Sequence, residues 1–300
     1  MTEIAEPSYL TVDCGAGYRN QLWSSVNGQE ILVYPKRPNE LLTDVEGRKL
    51  WSQEIYATRN YYSMVPTAIR PGFYFNRMAR PVEYEEFTGA RIEYDDGLYS
   101  TKARNQLNIL CNMLDEICRT VHPEANNMQM YGHATRNLMM LACTEVEAQW
   151  KSVLRANDYQ SARWCTNDYF KLCAAMRLNE YEIAFANYPW LEPFSPFSNW
   201  SAQFPTSSLP WYDAYNAVKH DSEAEFGKAT LLNTFNAVAA CAVMLVAQFG
   251  KAEAFGKGDN LHVYFDFQTT PNWPWSERYH AYFDAPRPKL GWNATKYIWK

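Results

Sequence analysis

Residues 225–249 read EFGKATLLNTFNAVAACAVMLVAQF, and no charged side chain occurs after Lys228. A helix that is apolar on every side has no face to give to water, so it belongs at the buried centre of a bundle. Gly250 directly follows and suits the C-terminal cap of that helix. The longest apolar run, Ala237 to Ala247, is about half of the ~20 residues needed to cross a bilayer. The stretch is therefore expected inside protein, with no membrane partner.

The neighbouring segments supply helices to surround it. Leu107, Leu110, Cys111, Leu114, Ile117, Cys118 and Val121 recur at three and four, the period of an amphipathic helix. Tyr131 to Asn157 carries a longer pattern of the same kind, with Leu138, Leu141, Val146, Trp150, Val153 and Leu154 apolar. Thr166 is placed to cap a short helix reaching Leu178. A loop from Tyr188 to Pro210 is dense in Pro, Ser and aromatics. A loop of that length is functional or packed by its own side chains.

The next helix carries the polar groups. In Trp211-Tyr212-Asp213-Ala214-Tyr215-Asn216-Ala217-Val218-Lys219-His220-Asp221, a rotation of about 100° per residue nearly superimposes Asp213 and His220 and sets Asn216 between them. Lys219 stands beside His220, and Trp211, Tyr215 and Val218 form the opposite, core-seeking stripe. Such a cluster suits a phosphate-handling or RNA-cutting site, and it equally suits a structural polar network. A break near Ser222 separates this helix from the apolar one.

Both ends of the chain read as β-rich. Asn20–Val26 and Gln29–Tyr34 flank Asn27-Gly28, the strongest short hairpin signal because both turn residues accept positive φ. A second hairpin is expected to turn at Asp96-Gly97, from Ala90–Tyr94 into Leu98–Ser100. Leu261, Val263, Phe265 and Phe267 alternate with polar residues as one strand. The expected organisation is a β-rich region over 1–101, a helical bundle over 102–250 and a β/aromatic extension over 251–300. The fold class is mainly α, α+β overall.

Bulk properties narrow the function. With 300 residues and 47% apolar composition the chain can bury a large core. A net charge of −5 argues against a surface built wholly to hold nucleic acid, and leaves room for a local basic groove. Seven cysteines show neither a CxxC pair nor zinc-ligand spacing, so reduced thiols, a cytoplasmic setting and no metal are expected. His133, His262 and His280 have no partners at ligand spacing. Phosphate-loop, dinucleotide and nucleophile-elbow motifs are absent, and no cofactor is expected. In the tail, Arg287, Lys289, Lys296 and Lys300 interleave with Trp292, Tyr297 and Trp299. That mixture suits stacking on single-stranded bases or packing onto its own domain.

Two segments, Tyr131 to Glu147 and Trp211 to Asp221, resemble an uncharacterised bacterial family with a HEPN-like domain (higher eukaryotes and prokaryotes nucleotide-binding). The resemblance covers about half of the chain. It implies an antiparallel helical bundle, dimerisation with motif helices facing each other, and an RNA-directed role in bacterial defence or stress response. It further implies metal-independent RNA cleavage, in which the protein supplies proton transfer and offsets phosphate charge.

In that account His220 transfers the proton and Asn216 orients the phosphate. Lys219 and Arg136 offset its charge, and Asp213 or Glu147 orients a cation. The sequence departs from the family's R-x4-6-H pattern: positions 213, 214 and 215 are Asp, Ala and Tyr. Arg136 stands in for the absent arginine if its helix packs beside the one that bears His220. Arg136 and Glu147, eleven residues apart, share a helix face; they border that site or form an ion-pair network. The missing arginine supports another reading, a non-catalytic bundle that binds RNA, a nucleotide or a protein partner. A third is a structural oligomer subunit.

Overall fold

The structure is a computed structural model that describes residues 10–14, 21–26, 29–34, 41–42, 62–69, 72–82, 97–255, 260–279, 282–283 and 290–299. Its contacts divide the chain into two units. One comprises Met1–Tyr74, Arg80–Glu93 and Trp273–Thr295; the other comprises Phe75–Ala79, Tyr94–Asn272 and Lys296–Lys300.

In the first unit, β1 (Leu10–Cys14), β2 (Gln21–Val26), β3 (Gln29–Tyr34), β4 (Leu41–Leu42) and β5 (Tyr62–Pro66) form one antiparallel sheet in the order β4-β3-β2-β1-β5. The pairing Val26↔Gln29 closes β2 onto β3, the register a two-residue connection requires. Asn27-Gly28 itself lies outside the described residues, as do Ala90–Tyr94 of the second expected hairpin. Further on, β6 spans Phe73–Phe75.

The second unit is helical: α1 (Gly97–Thr120), α2 (His133–Ala156), α3 (Thr166–Met176), α4 (Pro210–His220), α5 (Leu231–Phe249), α6 (Lys251–Phe255) and α7 (Leu261–Tyr264). A two-stranded antiparallel ribbon of β7 (Glu182–Phe185) and β8 (Phe265–Thr269) joins them. The expected limits at 101/102 and 250/251 fall inside this unit, because α1 already begins at Gly97 and α6 follows α5 after one residue.

α5 is the core helix, with sixteen of its nineteen residues buried. Among the described residues it is the one helix long and apolar enough to cross a membrane, and here it is wrapped in protein. The helix starts at Leu231, not at Glu225. The Thr230 side chain caps it by accepting from the Asn233 amide, while Phe226–Lys228 make a separate 3-10 turn. At its other end Gly250 takes φ +79°, a conformation that a Cβ would strain.

The expected antiparallel arrangement needs one correction: the most extensive helix pair, α2 and α5, is parallel. Thr234 donates to Thr135 O at 3.3 Å, Cys241 to Ala142 O at 3.2 Å and Gln248 to Gln149 Oε1 at 3.1 Å. Each link joins residues separated by 99 and repeats every seven residues, the interval that keeps one seam of a helix facing its partner. The segment between them, with α3, the β7 strand and α4, brings the chain back to the end where α2 began. α1 runs the other way, since Tyr99 in its first turn packs on Phe249 at the end of α5, ring centroids 6.2 Å apart.

Other local expectations change for identifiable reasons. Gly97–Ser100 form the first turn of α1, not a strand after an Asp-Gly turn. Leu261–Tyr264 make a helical turn, and the strand starts at Phe265. Cys165, not Thr166, caps α3: Asp168 Oδ2 accepts from the Cys165 amide at 2.8 Å. The aromatic loop before α4 is packed by its own side chains, with Phe194, Phe197, Trp200 and Leu209 buried.

Candidate functional site

Trp150, fully buried in α2, is the hub of an aromatic cluster. Trp200 stacks on it at 5.0 Å, and Tyr169 of α3 and Tyr212 of α4 pack at 5.2 and 5.1 Å. Aromatic pairs at these separations contribute about 0.5–1.5 kcal/mol beyond their buried area. One turn before Trp150 stands Glu147. Its Oε1 accepts from the Tyr212 hydroxyl at 2.8 Å and its Oε2 from Lys151 Nζ at 3.2 Å. Burial first, and the adjacent Glu147 carboxylate second, hold the Tyr212 phenol well above its ordinary range.

On α4, Trp211, Tyr215 and Val218 are buried, as the stripe predicts. Trp211 donates its indole N–H to Pro196 O at 2.8 Å. The polar residues of this helix then divide between two faces. Lys219 Nζ donates to the Tyr215 hydroxyl at 3.0 Å and lies 4.9 Å from the centre of that ring. This hydrogen bond is the chief reason its ammonium titrates above the usual lysine range, and Glu147 adds to it. Lys219, Tyr212 and Glu147 thus belong to one neighbourhood.

The other face carries Asp213, Asn216 and His220. Asn216 donates back to Tyr212 O of its own helix at 3.0 Å, so its amide N–H is spent on the backbone. His220 is exposed and forms no hydrogen bond or ion pair with any described residue, Asp213 included. Arg136 donates to its neighbour Asn137 Oδ1 at 3.3 Å, and its Nε is buried with no acceptor among the described residues. The expected Arg136–Glu147 network is replaced by the Glu147–Lys151 pair, since a partner four residues away on the same helix lies within direct reach. α2 and α4 do pack side by side, as the Arg136 reading requires, but no contact links Arg136 to His220. The six expected residues are therefore not assembled around one point.

A second surface stands at the start of α2. The Phe226 ring meets Tyr131 edge-on at 5.8 Å and His133 at 5.1 Å; Tyr131 is 56% exposed. Gly227 lies against the Tyr131 ring, where a Cβ would stand 3.8 Å from two of its carbons. Arg136 follows His133 by one turn, and Lys228, paired with Glu225 at 2.7 Å, follows Phe226. Tyr131 and His133 stand in the segment that carries the family resemblance. Nothing local announces Phe226 as their neighbour, because the contact spans nearly a hundred residues.

Of the tail aromatics, Tyr297 and Trp299 pack within the second unit. Trp299 donates to Asn157 O at 3.0 Å, and Tyr297 packs edge-on against Phe75 at 5.1 Å. Arg287, Lys289 and Lys300 lie outside the described residues. Cys111, Cys143 and Cys241 are buried, and that burial pushes their thiols well above the usual range. Cys118 and Cys173 are pushed up to about 11, by burial first. These thiols are poor nucleophiles near neutrality. Among the described residues no three His, Cys, Asp or Glu side chains cluster as metal ligands.

Comparison of the chain with protein-family models, with curated proteins and with solved structures gives no match.

Proposed function

We propose that this chain is a non-catalytic, RNA-directed binding protein with a HEPN-like helical bundle, and that single-stranded RNA docks on the α2 end. The observation that carries the reading is the surface of Tyr131, His133 and Phe226, with Arg136 one turn beyond His133 and the Lys228–Glu225 pair at its edge. Exposed rings offer stacking platforms for unpaired bases, and neighbouring cations follow the phosphates. The dispersal of the six expected residues supports binding without cleavage: Asn216, Lys219 and Glu147 are each engaged elsewhere, and His220 has no second group in reach. A role in bacterial defence or stress response enters this proposal through the family resemblance alone.

One observation favours metal-independent cleavage as a second reading: His220 is exposed and its ring nitrogens are uncommitted. Incubating the purified protein and His220→Ala with a single-stranded RNA pool in EDTA, while recording both binding and fragment length, separates the two. Binding by both proteins with intact RNA supports the first reading. Cleavage that disappears in His220→Ala supports the second, and absence of binding by either overturns both.

A further inference from the structure

A cavity of about 180 Å³ opens beside the start of α4, between the aromatic loop and the first turns of α5. No carboxylate, ammonium, guanidinium or imidazole lines it. Its polar groups are neutral and complementary. Asn233 and Asn236, three apart on α5, each spend a side-chain N–H on a backbone carbonyl, Lys228 O at 2.9 Å and Leu232 O at 3.0 Å. Those bonds fix the orientation of both amides and leave the two Oδ1 atoms as acceptors. Ser208, whose oxygen accepts from the Ser201 amide at 3.0 Å, still has its hydroxyl proton to donate. The Trp211 backbone amide finds no acceptor among the described residues. Leu209 and Leu232 add apolar wall.

We propose that this cavity binds a small, uncharged polyhydroxy molecule. The first turn of α4 attracts negative charge, but an anion would also meet two amide oxygens with no side-chain cation to offset them, and a cation would find no carboxylate. A hydroxyl group both donates and accepts, so a polyol can satisfy Asn233, Asn236, Ser208 and Trp211 together while its C–H face rests on leucine. The volume equals that of roughly six waters at about 30 Å³ each, the size of a four- or five-carbon polyol. This site is separate from the proposed RNA surface and does not depend on it.

The test is an NMR titration of the full chain with erythritol, following the Trp211 backbone amide against the exposed Trp190 indole as internal reference. Erythronate, the same skeleton bearing a carboxylate, serves as the charged comparison. The expected result is a saturable shift at Trp211 alone, with erythronate at least about tenfold weaker. Asn236→Leu, which keeps the side-chain shape but removes its amide oxygen from the cavity wall, is expected to abolish the shift; Asn199→Leu at the exposed rim serves if that variant does not fold. A linear shift shared with Trp190 would mean an adventitious additive only and would overturn the proposal. So would an equal response to erythronate, or a saturable shift that survives both substitutions.

Discussion

Tyr212 and Glu147 are joined by a 2.8 Å hydrogen bond between α4 and α2, and Lys151 holds the other carboxylate oxygen. A carboxylate tied in this way, beside a buried tryptophan, fastens two helices. Tyr212→Phe is expected to cost about 1–3 kcal/mol, because a hydrogen bond to a charged group is lost and Glu147 keeps one fewer donor. Chemical denaturation measures this. RNA affinity is expected to stay unchanged, since the contact lies apart from Tyr131 and Phe226.

Alkaline pH tests the tyrosines whose phenols titrate above their ordinary range as a set. Burial raises Tyr212, Tyr188 and Tyr181, and it raises Tyr159 and Tyr264 to about 12, from an ordinary 10.0. Below pH 10 these phenols are neutral in both states. Above it the unfolded chain releases protons that the folded chain retains, so stability falls as pH rises from 10 toward 12. Thermal melts across that window should show the decline, and Tyr212→Phe should make it shallower.

At the start of α3, Asp168 accepts from the Tyr159 hydroxyl at 2.6 Å and from the Cys165 amide at 2.8 Å. Desolvation pushes its carboxyl up, but these bonds outweigh it, and the net shift is downward from 3.8. The corresponding stability is present above pH 3.8 and is lost as pH falls below it. Asp168→Ala should cost about 0.5–2 kcal/mol at neutral pH, and the difference from the parent should narrow in acid. Urea melts at neutral and acidic pH provide the comparison.

Trp150 anchors α2, α3, the aromatic loop and α4 at once. Trp150→Ala should cost about 3–5 kcal/mol, because the cavity it leaves is walled by rigid rings. Trp150→Phe should recover most of that loss. Calorimetric unfolding distinguishes the two variants.

The helical core was legible where one property sufficed. An uninterrupted apolar run marks α5, and the three-four periodicity marks α1 and α2. Their ends were less so: Gly97 looks like half of a turn signal, yet the helical pattern downstream extends back through it. The Phe265–Thr269 strand was half visible because Leu261 and Val263 continue its alternation, although Leu261–Tyr264 coil into a helical turn. Of the site, the seven-residue spacing of Asp213 and His220 correctly places both on one face. Tyr212 and Lys219 fall on another face, whose chemistry is decided by Glu147 on a different helix. The Thr234–Thr135 ladder and the Phe226–Tyr131 contact depend on long-range packing, for which local periodicity carries no signal.

The most direct test of the proposed function is fluorescence anisotropy of a labelled single-stranded RNA across a salt series, for the parent chain, Tyr131→Ala and Arg136→Gln. The account predicts affinity that falls with salt in the parent and weaker binding in Tyr131→Ala by about 1–3 kcal/mol, the worth of one base stack. It predicts a shallower salt slope in Arg136→Gln, as expected when one phosphate contact is removed. RNA affinity indistinguishable among the three proteins at every salt concentration would contradict it.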